Sequence, residues 1–159
     1  MTRITLKFLS KTHACAEGVA WFSARPELHG AEWPAVCGAL EKSRRSTWSE
    51  WVREAVARYG TDADRKALRN DPSELVRRAV AIYGNAEDRK ILRADKSEWV
   101  REAVARYGTD ADRKALRNDP SELVREAVAR HGSAEDRKIL RADKSEWVRR
   151  AVEHYGRND

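Results

Sequence analysis

The sequence predicts an all-α fold, an α-solenoid of about four and a half 24-residue helical repeats behind an N-terminal cap. Three observations predict it. Ser49, Ser73, Ser97, Ser121 and Ser145 stand in one register, 24 residues apart. Each copy carries two helical segments whose start signals are written locally. A two-helix unit of that size has no core of its own, so it must stack on its neighbours.

Residues 1–46 lie outside the repeat and read as a cap over one end of the array, which occupies residues 47–159. Ile4 to Leu9 alternates apolar and polar positions, predicting a short strand or an extended lead-in. From Thr12 the spacing turns helical, with Cys15, Val19 and Phe22 on one face. Arg25-Pro26 and His29-Gly30 mark a loop. A second helix starts at Trp33-Pro34, with Trp33, Val36, Cys37 and Leu40 as its apolar stripe.

The best-specified helix is DPSELVRRAVAIY, Asp71 to Tyr83. Asp71 reads as its N-cap, Pro72 as its first helical residue, Glu74 as N3 and Gly84 as a left-handed stop. Leu75, Val76, Ala79, Val80 and Tyr83 share one face. The partner helix is shorter, from Ala86 to about Arg93, with Asn85 as N-cap and Asp88 at N3. Thr61 with Asp64, Thr109 with Asp112, and Ser133 with Asp136 repeat that arrangement. A finer period of 48 residues is also present. Trp51 and Trp99 go with Ala67 and Ala115, whereas Leu75 and Leu123 go with Ile91 and Ile139. Large with small against medium with medium predicts a core of level volume, with Trp51, Trp99 and Trp147 inside it. In the last copy Glu153 replaces the alanine held at Ala57, Ala81, Ala105 and Ala129, which predicts a face turned to water.

The stretch LRNDPSELVRRAVAIYGNAEDRKI, Leu68 to Ile91, resembles the leucine-rich variant repeat, a 24-residue bacterial relative of the HEAT repeat. Leu68, Asp71-Pro72, Val76-Arg77, Val80-Ala81 and Ile91 carry the resemblance, and it recurs at Leu92, Leu116 and Leu140. It implies a right-handed HEAT-like solenoid, a fold that mostly serves as a binding scaffold. The chain departs from the family by placing Tyr83-Gly84 where an Asn-Pro turn is common. The iron–sulfur cluster of the founding member is not carried over, because only Cys15 and Cys37 precede the repeats. The opening KTHACAEGVAWF resembles leaders of phage and mobile-element proteins.

Charged residues make up 36% of the chain, and the net charge is +6, shared equally between residues 1–46 and the array. That balance favours an acidic partner. The candidate binding residues follow from the segment Asp-Arg-Lys-x-Leu-Arg in each short helix. They are Arg65, Lys66 and Arg69; Arg89, Lys90 and Arg93; Arg113, Lys114 and Arg117; and Arg137, Lys138 and Arg141. Residues four apart share a helix face, and the resemblance puts the second helix on the concave surface. At roughly 10 Å per stacked pair, four such rows make a basic strip on the order of 40 Å long. The leading expectation is a non-enzymatic scaffold that engages an acidic protein surface, in a phage or host-defence setting. The alternative is DNA or RNA held through its phosphates.

Arg53, Arg77, Arg101, Arg125 and Arg149 form a second series. The resemblance assigns it to pairing with the aspartate that opens the same or an adjacent copy, for which Asp71, Asp95, Asp119 and Asp143 are available. Tyr59, Tyr83, Tyr107, His131 and Tyr155 form a column that can stack bases but reads first as sealing the turn between helices. His13, Cys15, His29 and Cys37 are enough for one tetrahedral zinc, yet their spacing matches no common zinc pattern and both cysteines lie on apolar stripes. No metal or cofactor is expected. No Ser–His–acid set, Gly-rich phosphate loop or Walker pattern nominates a catalytic residue. Two cysteines and the lack of a spanning apolar run or signal core predict a cytoplasmic protein without a membrane partner. A monomer is expected, with end-to-end dimerisation the alternative that Glu153 disfavours.

Overall fold

The computed structural model describes residues 1–157 and forms two compact units, Met1–Leu68 and Arg69–Asp159. The protein is all-α. Its described residues hold twelve α-helices, one 3₁₀ turn and a single isolated bridge between Arg3 and Glu32.

The N-terminal unit comprises α1 (Leu6–Lys11), α2 (Ala16–Ser23), the 3₁₀ turn Pro26–Leu28, α3 (Trp33–Lys42), α4 (Ser46–Tyr59) and α5 (Asp62–Leu68). The alternation from Ile4 to Leu9 makes no strand. Thr5 caps α1 by accepting the Phe8 N–H at 3.1 Å, so only Ile4 stays extended and buried. Its N–H donates to Ala31 O and its carbonyl accepts the Gly30 N–H, both at 2.8 Å. Helix α3 packs along α4, burying Val36, Cys37 and Leu40 with Val52 and Val56.

Asp64 of α5 ties the unit together from a fully buried position. Its carboxylate accepts the Thr2 N–H at 3.0 Å and hydroxyl at 2.7 Å, the Thr61 N–H at 2.9 Å and hydroxyl at 2.6 Å, and Trp33 Nε1 at 3.0 Å. The N-terminal compact unit therefore takes in both the segment 1–46 and the helices of the first 24-residue copy.

The C-terminal unit comprises α6 (Glu74–Tyr83), α7 (Ala86–Leu92), α8 (Glu98–Tyr107), α9 (Asp110–Leu116), α10 (Glu122–His131), α11 (Ala134–Leu140) and α12 (Glu146–Tyr155). The longer helices α6, α8, α10 and α12 pack in succession, and each shorter helix lies against the longer one before it and the one after it. Val76, Val80, Val100, Val104, Val124, Val128 and Val148 are fully enclosed, with Leu92, Leu116 and Leu140 closing the core from the short helices. Capping boxes start α7, α9 and α11 at the Asn85–Asp88, Thr109–Asp112 and Ser133–Asp136 pairs. The serines that mark the register reach one copy back. Ser97 Oγ donates to Glu74 at 2.7 Å, Ser145 Oγ to Glu122 at 2.6 Å, and Ser121 Oγ to Glu98.

Three expectations are corrected here. Helix α6 starts at Glu74, with Ser73 as its N-cap accepting the Leu75 N–H at 3.2 Å. Asp71 instead accepts the Ser73 N–H at 2.9 Å, and Arg77 Nη1 donates to the Asp71 and Pro72 carbonyls at 2.8 and 3.1 Å. Those bonds hold residues 71–73 outside the helix. Gly84 is not left-handed, since its φ is -75° and its ψ 178°. A glycine is needed there for closeness: a Cβ would lie 2.4 Å from Val80 O and 2.7 Å from an Asp88 oxygen.

The third correction concerns the core. Leu75, Trp99 and Trp147 are 51%, 50% and 65% exposed, and Ile91 and Ile139 are 42% and 43% exposed. Successive helical residues are about 100° apart, so the valines at 76, 100 and 148 take the packed direction and their predecessors turn outward. Other positions that alternate between copies are exposed too, among them Asp62, Ala86, Asp110 and Ala134, Ala63, Glu87, Ala111 and Glu135, Asn70, Ala94, Asn118 and Ala142, and Pro72, Lys96, Pro120 and Lys144. Apart from Trp51 and Leu123, which are half-buried, the 48-residue alternation is a property of the surface.

Candidate functional site

The twelve short-helix cations fall into three groups. Arg65, Arg89, Arg113 and Arg137 turn back onto the preceding long helix. Each Nη1 donates to the carbonyl of the glycine that follows that helix: Gly60 at 2.8 Å, Gly84 at 2.6 Å, Gly108 at 2.8 Å and Gly132 at 2.7 Å. Weaker bonds at 3.4 Å reach Ala57, Ala81, Ala105 and Ala129. Carbonyls at a helix C-terminus lack intrahelical donors, and these guanidiniums supply them. Arg65 and Arg113 also pair with Asp62 and Asp110 at 2.7 and 2.8 Å.

Arg69, Arg93 and Arg117 form the second group. They bridge to the buried aspartate that opens the next short helix, Asp88 at 2.5 Å, Asp112 at 3.4 Å and Asp136 at 3.6 Å. In α5 the equivalent aspartate is Asp64, which receives Thr2 and Trp33. The third group points outward. Lys66, Lys90, Lys114, Lys138 and Arg141 are exposed, and their side chains form no hydrogen bond or ion pair among the described residues.

The outward face of the short helices in the C-terminal unit is mixed. A groove between α9 and α11 has Ala111, Lys114 and Arg117 on one side and Glu135, Asp136 and Ile139 on the other. Glu87 holds the same place in α7 that Glu135 holds in α11, and both are exposed.

The second arginine series is held inside the fold. Arg77 grips Asp95 with two bonds of 2.7 and 3.0 Å, Arg101 grips Asp119 at 2.7 and 2.9 Å, and Arg125 grips Asp143 at 2.7 and 3.0 Å. Hydrogen bonds donated to these aspartates push the guanidiniums above their ordinary pKa, against the burial that lowers it. Arg149 donates to the Asp143 and Lys144 carbonyls at 2.6 and 3.1 Å.

The ring column is open to solvent along the C-terminal unit, with cations over two of its rings. Tyr83, Tyr107, His131 and Tyr155 are exposed. Arg106 lies 5.1 Å from the Tyr107 ring centre and Arg130 lies 5.4 Å from that of Tyr155. Burial, then the charges of Arg106, Arg130 and Arg113, holds His131 below its ordinary pKa. The outer face of the long helices carries what the sequence reading missed, the row Leu75, Trp99, Leu123 and Trp147. Leu123 borders a crevice with Glu102, Arg106 and Arg130. The alternation between copies was its signal.

Cys15, His29 and Cys37 serve separate local purposes, and His13 is exposed. The exposed Cys15 caps α2, its Sγ accepting the Gly18 N–H at 3.4 Å. Cys37 is buried and donates to Ser49 O at 3.6 Å. His29 stacks on Phe22 with ring centres 4.9 Å apart. Among the described residues no cluster of three or more His, Cys, Asp or Glu side chains is placed to hold a metal ion, and no helix is long and apolar enough to cross a membrane.

Compared with protein-family models, curated proteins and solved structures, the chain matches none. Its functional reading rests on the chemistry of its own surface. That surface offers one free lysine per short helix, isoleucines beside two of them, and a row of outward indoles and leucines.

Proposed function

We propose that the chain is a non-enzymatic protein-binding module, a HEAT-like α-solenoid of about four and a half leucine-rich-variant units. Its short-helix face engages an acidic protein surface. The observation that carries this reading is the division of labour within α7, α9 and α11. Apart from Arg141 at the end of α11, their arginines are committed to carbonyls and aspartates, whereas Lys90, Lys114 and Lys138 remain outward. Ile91 and Ile139 follow two of these lysines and add apolar area to the same face. A partner that fits presents carboxylates interspersed with apolar side chains.

The arrangement favours a protein over a nucleic acid. Phosphate tracking draws on many unpaired cations, each contributing a slope of about 0.9 to the salt dependence. Here each short helix has one lysine, and Glu87 and Glu135 share its face at a spacing of three residues. A uniform polyphosphate meets repulsion there, whereas a protein surface of mixed charge can place a donor opposite.

The test uses an acidic amphipathic peptide of alternating glutamate and leucine blocks, with random duplex DNA as competitor. The peptide is expected to bind, and the triple variant K90Q/K114Q/K138Q to weaken it by about tenfold. Duplex DNA is expected to bind weakly, with a shallow salt dependence. Tight DNA binding that falls steeply with salt, or no peptide binding at physiological salt, sinks the proposal.

A further inference from the structure

The N-terminal unit holds an apolar cavity of about 260 Å3 that the short-helix reading does not use. Its base is made of Phe22, Val36 and Leu40, all buried. Three tryptophans form its walls: Trp21 from α2, and Trp48 and Trp51 from α4. The exposed lining residues His13 and Cys15 mark its mouth, next to Gly18. Close-packed interiors leave few voids larger than a water molecule, so an open space this size between three indoles is unusual. An apolar cavity of about 150 Å3 takes benzene, so this one takes roughly a two-ring molecule.

The wall is also positive. The Arg25 guanidinium lies 4.1 Å from the Trp21 ring centre, and that of Arg45 lies 5.1 Å from the Trp48 ring centre. The two indoles meet edge to face, 6.4 Å apart, so the two cations back adjoining panels of one wall. Each donates to a backbone carbonyl, Arg25 to Trp21 O at 2.9 Å and Arg45 to Ser43 O at 3.2 Å. Neither has a carboxylate partner among the described residues. Trp21 Nε1 is buried without a hydrogen-bond partner among the described residues. Apolar volume, aromatic walls and two cations without carboxylate partners describe one kind of guest.

We propose that this cavity binds a compact two-ring aromatic monocarboxylate. The rings lie among Trp21, Trp48 and Trp51, where offset and edge contacts favour aromatic over acyl chains. The carboxylate lies on the side of Arg25 and Arg45, whose charge acts across the low-dielectric indoles. The site is independent of the lysine face, so either proposal can fail without the other.

The experiment compares 1-naphthoate with its neutral analogue 1-naphthalenemethanol on the full chain, by calorimetry and by quenching of indole fluorescence. A dissociation constant on the order of 10–100 µM is expected for naphthoate, with the alcohol several-fold weaker. Two variants separate the terms. In Gly18→Leu the new side chain fills the cavity; a Cβ there meets only Cys15 Sγ, at 3.4 Å. Leucine also favours the helix over glycine, so Tm should hold or rise while binding of both probes drops by about tenfold. In R25Q/R45Q naphthoate should weaken to the level of the alcohol, with alcohol binding unchanged. No binding of either probe to the wild-type chain overturns the proposal. So does undiminished binding in Gly18→Leu, or an alcohol that binds as tightly as the carboxylate.

Discussion

A carboxylate without solvent must have its lone pairs filled, and Asp64 is surrounded by donors from Thr2, Thr61 and Trp33. Burial pushes its carboxyl pKa up, but the hydrogen bonds from Thr61 and then Thr2 outweigh burial and hold it well below the usual range. Because the folded value lies below the unfolded one of about 3.9, Asp64 contributes its full stability above that pH. The contribution is lost as the pH falls through the folded value. Asp64→Asn keeps the shape but turns an acceptor oxygen into a donor facing other donors. At pH 7 it should lose about 2–3 kcal/mol in urea titrations, and its stability should fall less steeply than wild type below about pH 4. A wild-type midpoint at pH 7 would show that this ring of donors does not hold the N-terminal unit together.

At the scale of the element, helix boundaries were legible where the signal is local. The capping boxes of α7, α9 and α11 stand where Asn85, Thr109 and Ser133 precede their aspartates by three residues. The start of α6 was misplaced because Asp71 and Ser73 are both competent caps, and only the long reach of Arg77 decides between them. The inside of each long helix was misjudged for another reason. Leu75 or Trp99 beside a valine extends an apolar stripe, and hydrophobicity alone does not say which edge of the stripe packs. The copies themselves carry that information, since fully enclosed valines are identical from one to the next while the outward residue alternates. Trp99→Gln should therefore change stability by less than about 1 kcal/mol, whereas Val100→Ala, which opens a cavity at a fully enclosed site, should cost about 2 kcal/mol. Thermal melts of the two variants test the assignment. A Trp99→Gln loss as large as that of Val100→Ala would return the indole to the core.

At the scale of the molecule, the arginine chemistry was only half legible. Spacing placed the short-helix cations on one face, but a guanidinium at the end of a long stem can turn back to a carbonyl or reach a neighbouring copy, and the sequence does not set that direction. The pairs Arg77–Asp95, Arg101–Asp119 and Arg125–Asp143 each fasten a long helix, through two bonds, to the segment that leads into the next long helix. Where long helices pack in succession, as α6, α8, α10 and α12 do, a weakened middle link is expected to cost cooperativity as well as energy. Asp119→Ala removes the acceptor of both Arg101 and the Ser121 N–H, leaving a largely shielded guanidinium without its counter-charge. A loss of about 2–4 kcal/mol is expected, little changed by salt because the pair is shielded. Adding Arg101→Met removes the stranded charge, so the double variant should lose less than the sum of the two single ones. The exposed pair Arg150–Glu146, more than 60% open on both sides, is the control, and Glu146→Gln should change stability by less than about 0.5 kcal/mol. If Asp119→Ala unfolds in one sharp transition with the wild-type slope, the arginine links contribute energy but do not carry cooperativity. A broadened or two-step transition instead places the break between successive long helices, where the bidentate pairs bind.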